Sequence, residues 1–167
     1  GKFFIPKAGF NPIELVKMIK GGEINAISSV PSLWRTLLSN PELIGSSGDC
    51  IKWIEIGSQF MPKEEKIQIR SMFPNAVIIQ HYGLTEASRS TFLKIHEESL
   101  DHLDSVGRPL VPNSIDINKE NRILIQGENV ALGVLVDGEV NSLINSAGWM
   151  LTSDFGRVEN GLLYYEG

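Results

Sequence analysis

Apolar and polar positions in the first half of the chain alternate between helical and extended patterns. Ile13, Val16 and Ile19 recur at helical spacing behind Asn11-Pro12, which suits an N-cap followed by a proline at the first helical position. Short apolar runs rich in β-branched residues, typical of buried strands, occupy residues 24–30, 51–56 and 76–80. A helical segment separates each pair of runs, so the pattern predicts β-α-β-α-β with a parallel sheet and right-handed crossovers.

The second half of the chain carries the signals of antiparallel hairpins. Strand-like runs at 114–117 and 122–126 flank a polar turn, and two-residue turn signals follow at Asp137-Gly138 and Asn160-Gly161. The predicted fold class is therefore α/β, with a parallel sheet portion followed by a small antiparallel portion like a β-barrel. We predict two subdomains, at residues 1–104 and 105–167.

Composition excludes several classes of protein. The 167 residues include 15 Lys and Arg against 20 Asp and Glu, and the net charge of −5 argues against nucleic-acid and anionic-membrane binding. No apolar run approaches the roughly 18 residues of a membrane span. Cys50 is the single cysteine, which excludes an intrachain disulfide framework and a cysteine-rich zinc site. We therefore expect a reducing, cytoplasmic location.

Polar side chains cluster where the third predicted strand ends. Residues 81–89 bring an imidazole, a phenol, a hydroxyl, a carboxylate and a guanidinium together directly after a buried run. In open parallel sheets, ligands bind beyond the carboxyl ends of the strands, and Gly57-Ser58-Gln59 follows the second strand in the same way. These residues predict a ligand site, while the alternative is a polar helix start with Thr85 as its N-cap.

Five segments, in order along nearly the whole chain, resemble the adenylate-forming superfamily of acyl- and aryl-CoA synthetases, nonribosomal peptide adenylation domains and firefly luciferase. Tyr82-Gly83-Leu84-Thr85-Glu86 is similar to the family signature Tyr-Gly-x-Thr-Glu. Residues 148–156 are similar to the family segment Gly-Trp-x-x-Thr-Gly-Asp-x-Gly. The remaining three similar segments are residues 30–32, 57–62 and 105–109.

The resemblance implies a role for each candidate residue. Tyr82 would lie against the adenine face, and Asp154 would accept hydrogen bonds from both ribose hydroxyls. Thr85 would hydrogen-bond the α-phosphate and Glu86 would hold Mg²⁺, which makes these two the implied catalytic residues. His81 would lie near the carboxylate of the acid. The residues implied to line the nucleotide and acid pockets are Gly57, Ser58, Gln59, Gln80 and Gly83.

The implied reaction is that of an AMP-forming acid–thiol ligase. A small-molecule carboxylic acid attacks the α-phosphorus of ATP and expels pyrophosphate, and the thiol of CoA or of a phosphopantetheine arm then displaces AMP. Two alternatives remain open: an adenylation domain that serves a carrier protein, and a non-catalytic nucleotide-binding module. Neither nucleic acid nor membrane is an expected partner.

Some family features are altered or missing. Ser153 replaces the usual Gly of the Thr-Gly-Asp segment, where a glycine with positive φ would be hard for Ser to mimic, and the strand 121–124 lacks the usual Gly-Glu-Leu start. The chain contains neither the phosphate-cradling loop that ends in Lys nor the carboxyl-terminal domain with its catalytic Lys. We therefore expect a fragment of the large amino-terminal domain, inactive alone and prone to self-association through exposed apolar surface.

Overall fold

The computed structural model describes Phe4, residues 11–57 and residues 59–167. The chain divides into two compact units, each built from separate stretches of sequence. The first unit comprises residues 1–79 and 94–103, and the second comprises residues 80–93 and 104–167. The sequence predicts one boundary, between residues 104 and 105. In the structure the second compact unit also includes residues 80–93, so the chain passes between the two units more than once.

The first unit alternates strands and helices in the predicted order. Its elements are α1 (Pro12–Lys20), β1 (Ala26–Ser29), α2 (Pro31–Leu38), β2 (Trp53–Ile56) and α3 (Lys63–Met72), with 3₁₀ turns at Pro41–Leu43, Gly45–Cys50 and Leu100–His102. The strands β1 and β2 pair in parallel, as predicted. Two further strands, β3 (Val77–Tyr82) and β4 (Thr91–Lys94), have residues in both units and complete the sheet order β1-β2-β3-β4.

Helix α1 begins where its cap predicts. The Asn11 side-chain oxygen accepts hydrogen bonds from the backbone N–H groups of Ile13 and Glu14, at 3.1 and 3.2 Å. Ile13 shares the helical spacing of Val16 and Ile19, but its side chain is 63% exposed. At 3.6 residues per turn, Ile13 lies about 60° beyond Val16, on the side away from the other buried positions. The residues that form the buried face are Leu15, Val16 and Ile19.

The second unit is built mainly from antiparallel strands. They are β5 (Ser114–Ile117), β6 (Arg122–Gln126), β7 (Gly133–Val136), β8 (Glu139–Ser142), β9 (Met150–Glu159) and β10 (Leu162–Tyr165). Four of them form a sheet in the order β10-β9-β6-β5, while β7 and β8 form a separate two-stranded hairpin. The core of this unit consists of Ala87, Val106, Ile123, Ile125, Met150 and Leu163.

Both predicted two-residue turns are confirmed. Asp137 and Gly138 join β7 to β8 with φ values of 52° and 86°, and Asn160 and Gly161 join β9 to β10 with φ values of 52° and 74°. Positive φ at both central positions is the requirement of the type I′ turn, which Asn-Gly and Asp-Gly meet at low cost. Within the described residues, every helix is too short or too polar to cross a membrane.

Candidate functional site

The segment after β3 folds as a tight turn that leads into β4, so the alternative of a helix capped by Thr85 is wrong. Leu84 and Ala87 exchange backbone hydrogen bonds at 3.0 and 3.2 Å and thereby close the turn. Gly83 precedes them at a position without room for a side chain, since a Cβ atom there would lie 2.4 Å from the backbone nitrogen of Arg89. The glycine of the signature motif therefore permits the chain to reverse at this point.

A second segment holds this turn in place within the same unit. The side-chain nitrogen of Asn129 donates to the backbone oxygen of Ser88 and to the hydroxyl of Ser90, at 3.0 Å each. The backbone N–H of Ala131 donates to the backbone oxygen of Glu86 at 2.8 Å. Thus the main chain that carries the signature carboxylate is fixed by residues about 40 positions further along the sequence.

Tyr82 and Asp154 come together in the second unit. The Tyr82 hydroxyl donates a hydrogen bond to Oδ2 of Asp154 at 2.7 Å, although the two residues are 72 positions apart. The Tyr165 ring lies 6.1 Å from the Tyr82 ring, centroid to centroid. Burial raises the pKa of Tyr82 well above its usual range, and the hydrogen bond to the Asp154 carboxylate raises it further. Tyr82 therefore remains a protonated donor at neutral pH.

Asp154 lies in a part of β9 that is tied to β6. The Thr152 hydroxyl donates to the backbone oxygen of Ile123 at 2.9 Å and accepts from the backbone N–H of Asp154 at 3.1 Å. Ser153 lies between them, at the position where the family segment has Gly. Ser153 is not among the described non-glycine residues with positive φ, which are Arg89, Asn121, Asp137 and Asn160. Serine therefore fits this backbone without the strain that a positive φ would impose.

The remaining candidates of the second unit lie close to Tyr82 in the sequence. Gln80 is only 1% exposed, and its side-chain oxygen has no hydrogen-bond partner among the described residues. The His81 ring lies 6.3 Å from the ring of Phe92. Thr85 is exposed on the turn, and Glu86 beside it is half-buried. A buried acceptor without a donor is costly, and the described residues supply no donor to the Gln80 oxygen.

The candidates that follow β2 belong to the first unit. Gly57 is buried at the end of the strand, Gln59 is exposed, and Ser58 lies outside the described residues. Just beyond them, Arg35 donates to the backbone oxygen of Phe60 at 3.0 Å and pairs with Glu65 at 2.8 Å. The arginine thus joins α2 to α3 and holds the main chain that enters α3 from this loop.

The described residues contain no group of three or more His, Cys, Asp or Glu side chains that could hold a metal ion. Of the acidic candidates, Glu86 lies on the turn and the Asp154 carboxylate is hydrogen-bonded to Tyr82. A metal ion at this site would therefore need ligands from a bound substrate or from water in addition to Glu86.

Sequence reasoning misses three residues that support the site. Asn129 gives no signal in the sequence, Tyr165 stands out only as part of the last apolar segment, and Arg122 stands out only as a departure from the family pattern. Each acts through a partner far away in the sequence, and such a pairing is visible only in the folded chain.

The profile of the family described as AMP-binding enzyme matches residues 2–138 of this chain. The chain belongs to this family of AMP-binding enzymes. One relative is the 3-[(3aS,4S,7aS)-7a-methyl-1,5-dioxo-octahydro-1H-inden-4-yl]propanoyl:CoA ligase of Mycobacterium tuberculosis, which is 25% identical over 95% of this chain and 32% of its own length. The D-alanine–D-alanyl carrier protein ligase of Bacillus cereus is 30% identical over 93% of this chain and 34% of its own length.

A solved structure of a coenzyme A synthetase is also similar to this chain. The O-succinylbenzoate coenzyme A synthetase of Bacillus subtilis, in complex with ATP and a magnesium ion, matches 94% of this chain with a TM-score of 0.73 and 25% identity. The match covers 34% of that protein. The fold class predicted from the sequence is thereby confirmed, and the chain spans about a third of the length of the proteins that it matches.

Proposed function

We propose that this chain is part of an AMP-forming acid–thiol ligase and supplies nucleotide-binding residues of its large domain. The observation that carries the proposal is the 2.7 Å hydrogen bond between the Tyr82 hydroxyl and Asp154. It joins a residue of the signature segment 82–86 to a residue of the family segment 148–156. Membership in the AMP-binding enzyme family and the similarity to a synthetase solved with ATP support the same function.

The nucleoside would be bound by the tyrosine and the carboxylate together. The Tyr82 ring offers a rigid aromatic face on which adenine can stack. The Asp154 carboxylate has two oxygens with several acceptor positions, so the bond from Tyr82 leaves capacity for the ribose hydroxyls. Gln80 is proposed to contribute to the lining of the nucleotide pocket, as the family resemblance implies. Gly83 is proposed to line the pocket beside Tyr82 in the second unit.

The phosphate end would be bound by the signature turn. Thr85 is exposed there and would hydrogen-bond the α-phosphate, while His81 would lie near the carboxylate of the acid. Mg²⁺ commonly takes one or two carboxylates together with substrate phosphates and waters, and a backbone-fixed Glu86 fits that set. When bound, Mg²⁺ would offset the charge of the triphosphate.

The proposed reaction activates a small carboxylic acid as an acyl-adenylate and transfers the acyl group to the thiol of CoA. A relative named for the D-alanyl carrier protein favours a second candidate, in which the acceptor is the phosphopantetheine thiol of a carrier protein. The two candidates share the first half-reaction and differ in the second. The proposed location is the cytoplasm, on the ground that a chain with a single cysteine suits a reducing compartment.

The test is ATP–pyrophosphate exchange by the full-length protein that carries this segment. Glu86→Gln keeps the size of the side chain but removes its charge, so we expect exchange to fall by roughly 10²–10³-fold at saturating ATP. Glu139→Gln, an exposed glutamate on the β7–β8 hairpin, is the matched control and should leave the rate unchanged. Transfer to CoA or to a carrier protein is then measured separately to identify the acceptor.

Two outcomes would contradict the proposal. One is full exchange activity in the Glu86→Gln variant, which would remove the assigned role of that carboxylate. The other is an absence of exchange in the wild-type full-length protein across a panel of carboxylic acids, which would favour a non-catalytic nucleotide-binding module. The 167-residue chain alone is expected to remain at background.

A further inference from the structure

The pairing of β6 with β9 is irregular at the point that carries Asp154. Arg122 lies opposite Phe155 and Leu124 lies opposite Leu151, so two steps along β6 match four steps along β9. Three residues of β9, from Thr152 to Asp154, therefore face Ile123 alone. Extra residues of this kind form a β-bulge, which bends the strand and turns a side chain in a new direction.

Arg122 holds this bulge from the neighbouring strand. Its Nε donates to the backbone oxygen of Thr152 at 2.9 Å, and its Nη2 donates to the same oxygen. A guanidinium presents its N–H groups in a rigid planar fork, so this double contact fixes the direction of the Thr152 carbonyl. The hydroxyl of Thr152 makes the next link, because it accepts from the backbone N–H of Asp154 at 3.1 Å.

Two residues that depart from the family pattern lie next to the Thr152 carbonyl. Ser153, which follows it directly, stands where the family has Gly, and Arg122 belongs to a strand start that reads Gly-Glu-Leu in the family and Asn121-Arg122-Ile123 here. A carboxylate at position 122 could not donate to the Thr152 oxygen and would repel it. Here the Thr152 oxygen, next to Ser153 in the chain, accepts from Arg122 on β6.

We infer that Arg122 is a positioning residue that compensates for Ser153. It fixes the bulge from Thr152 to Asp154 and so directs the Asp154 carboxylate toward the ribose, an inference that rests on the proposed function. Arg122 touches neither nucleotide nor acid in this scheme. Its effect passes through the Thr152 carbonyl and the backbone of the bulge to the carboxylate that Tyr82 also holds.

The test is a double-mutant cycle of wild type, Arg122→Glu, Ser153→Gly and the double variant in the full-length protein. Steady-state exchange is measured at varied ATP and saturating acid. With the native Ser153, Arg122→Glu should raise KM for ATP about tenfold and change kcat less than about threefold, because ribose binding is lost more than transition-state contacts. In the Ser153→Gly background, the same change should raise KM less than about threefold.

Two further variants complete the kinetic test. Arg122→Lys keeps the charge but replaces the fork by a single ammonium, and it should raise KM about threefold. Arg157→Glu is the matched control, because Arg157 lies on β9 and pairs with Glu159 and Glu166 instead of holding the bulge. Its KM for ATP should stay within about twofold of wild type. Equal effects of Arg122→Glu in both backgrounds would overturn the inference. If Arg122→Glu does not fold, the Lys variant in both backgrounds decides in the same way.

A readout that does not depend on activity separates this inference from the proposed function. The melting temperatures of the four proteins of the cycle should show a loss of about 1–3 °C for Arg122→Glu with the native Ser153, and less than half of that loss in the Ser153→Gly background. Additive shifts would overturn the coupling even in an active enzyme. Coupled shifts in a protein without exchange activity would retain the role of Arg122 in the bulge and reject the proposed function.

Discussion

The stability of the second unit depends on the proton of the Tyr82 hydroxyl, because that hydroxyl donates the hydrogen bond to Asp154. Its ordinary pKa is 10.0, and burial with the neighbouring carboxylate raises the pKa in the folded state. Above about pH 10 the unfolded chain ionises this tyrosine while the folded chain keeps the proton. The unfolded state then binds fewer protons than the folded state. The contribution of Tyr82 to the free energy of unfolding is therefore fully present below about pH 10 and decreases as the pH rises above that value.

Tyr82→Phe should separate this effect from the other titrating groups. At pH 7 the variant loses the bond to Asp154, and we expect its free energy of unfolding to fall by about 1–2 kcal/mol. Above about pH 10 the wild type should lose stability more steeply with pH, so the two curves converge. Urea midpoints measured from about pH 7 to about pH 11 check this, and parallel curves over the whole range would contradict it.

The side chains of the site differ in how far the sequence predicts them. Tyr82, Glu86 and Asp154 stand in recognisable motifs, and the fold joins the first to the last by a hydrogen bond. Asn129 and Arg122 stand in no motif, because a residue that fixes another residue's backbone can be replaced by any donor of suitable reach. Their partners lie 41 and 30 positions away, respectively, and only the folded chain brings them together.

Helix α1 depends on a single capping side chain for two of its first backbone donors. Asn11→Ala removes the acceptor for both N–H groups, and we expect the free energy of unfolding to fall by about 1 kcal/mol. Asn11→Ser keeps an oxygen at the cap and should differ from wild type by only a few tenths of a kcal/mol. Urea unfolding followed by circular dichroism compares the three, and equal stability of the Ala and Ser variants would show that the cap contributes nothing.

Strong local signals account for the elements that the sequence predicts well. Caps and prolines mark the helices, and Asp-Gly and Asn-Gly mark the two hairpins. Strand β4 escapes prediction, because its four residues, Thr91–Lys94, are too few to show a reliable alternation. The turn before it resembles a helix start because Thr85 is a common capping residue, whereas the close approach of Gly83 to Arg89 decides the structure.

The whole chain presents apolar surface on the β7–β8 hairpin. Leu135 and Val140 face each other across the two strands, and they are 69% and 70% exposed. We expect the isolated chain to self-associate through such surface, and Leu135→Ser with Val140→Ser should weaken the association. Leu100→Ser, at a side chain that is 53% exposed in the first unit, is the control. Sedimentation velocity over a range of concentrations checks this, and a monomer at every concentration would contradict it.

The 72-residue separation between Tyr82 and Asp154 also determines how long after Tyr82 the ribosome adds Asp154. At about 5–20 residues per second, Asp154 is added roughly 4–14 s after Tyr82. During that interval Tyr82 has been synthesised but Asp154 has not. Residues 80–93 therefore lack the later residues, 104–167, with which they form one unit. The nascent chain therefore cannot complete the proposed nucleoside site until β9 has emerged, and the proposed binding of ATP would have to follow the folding of the second unit.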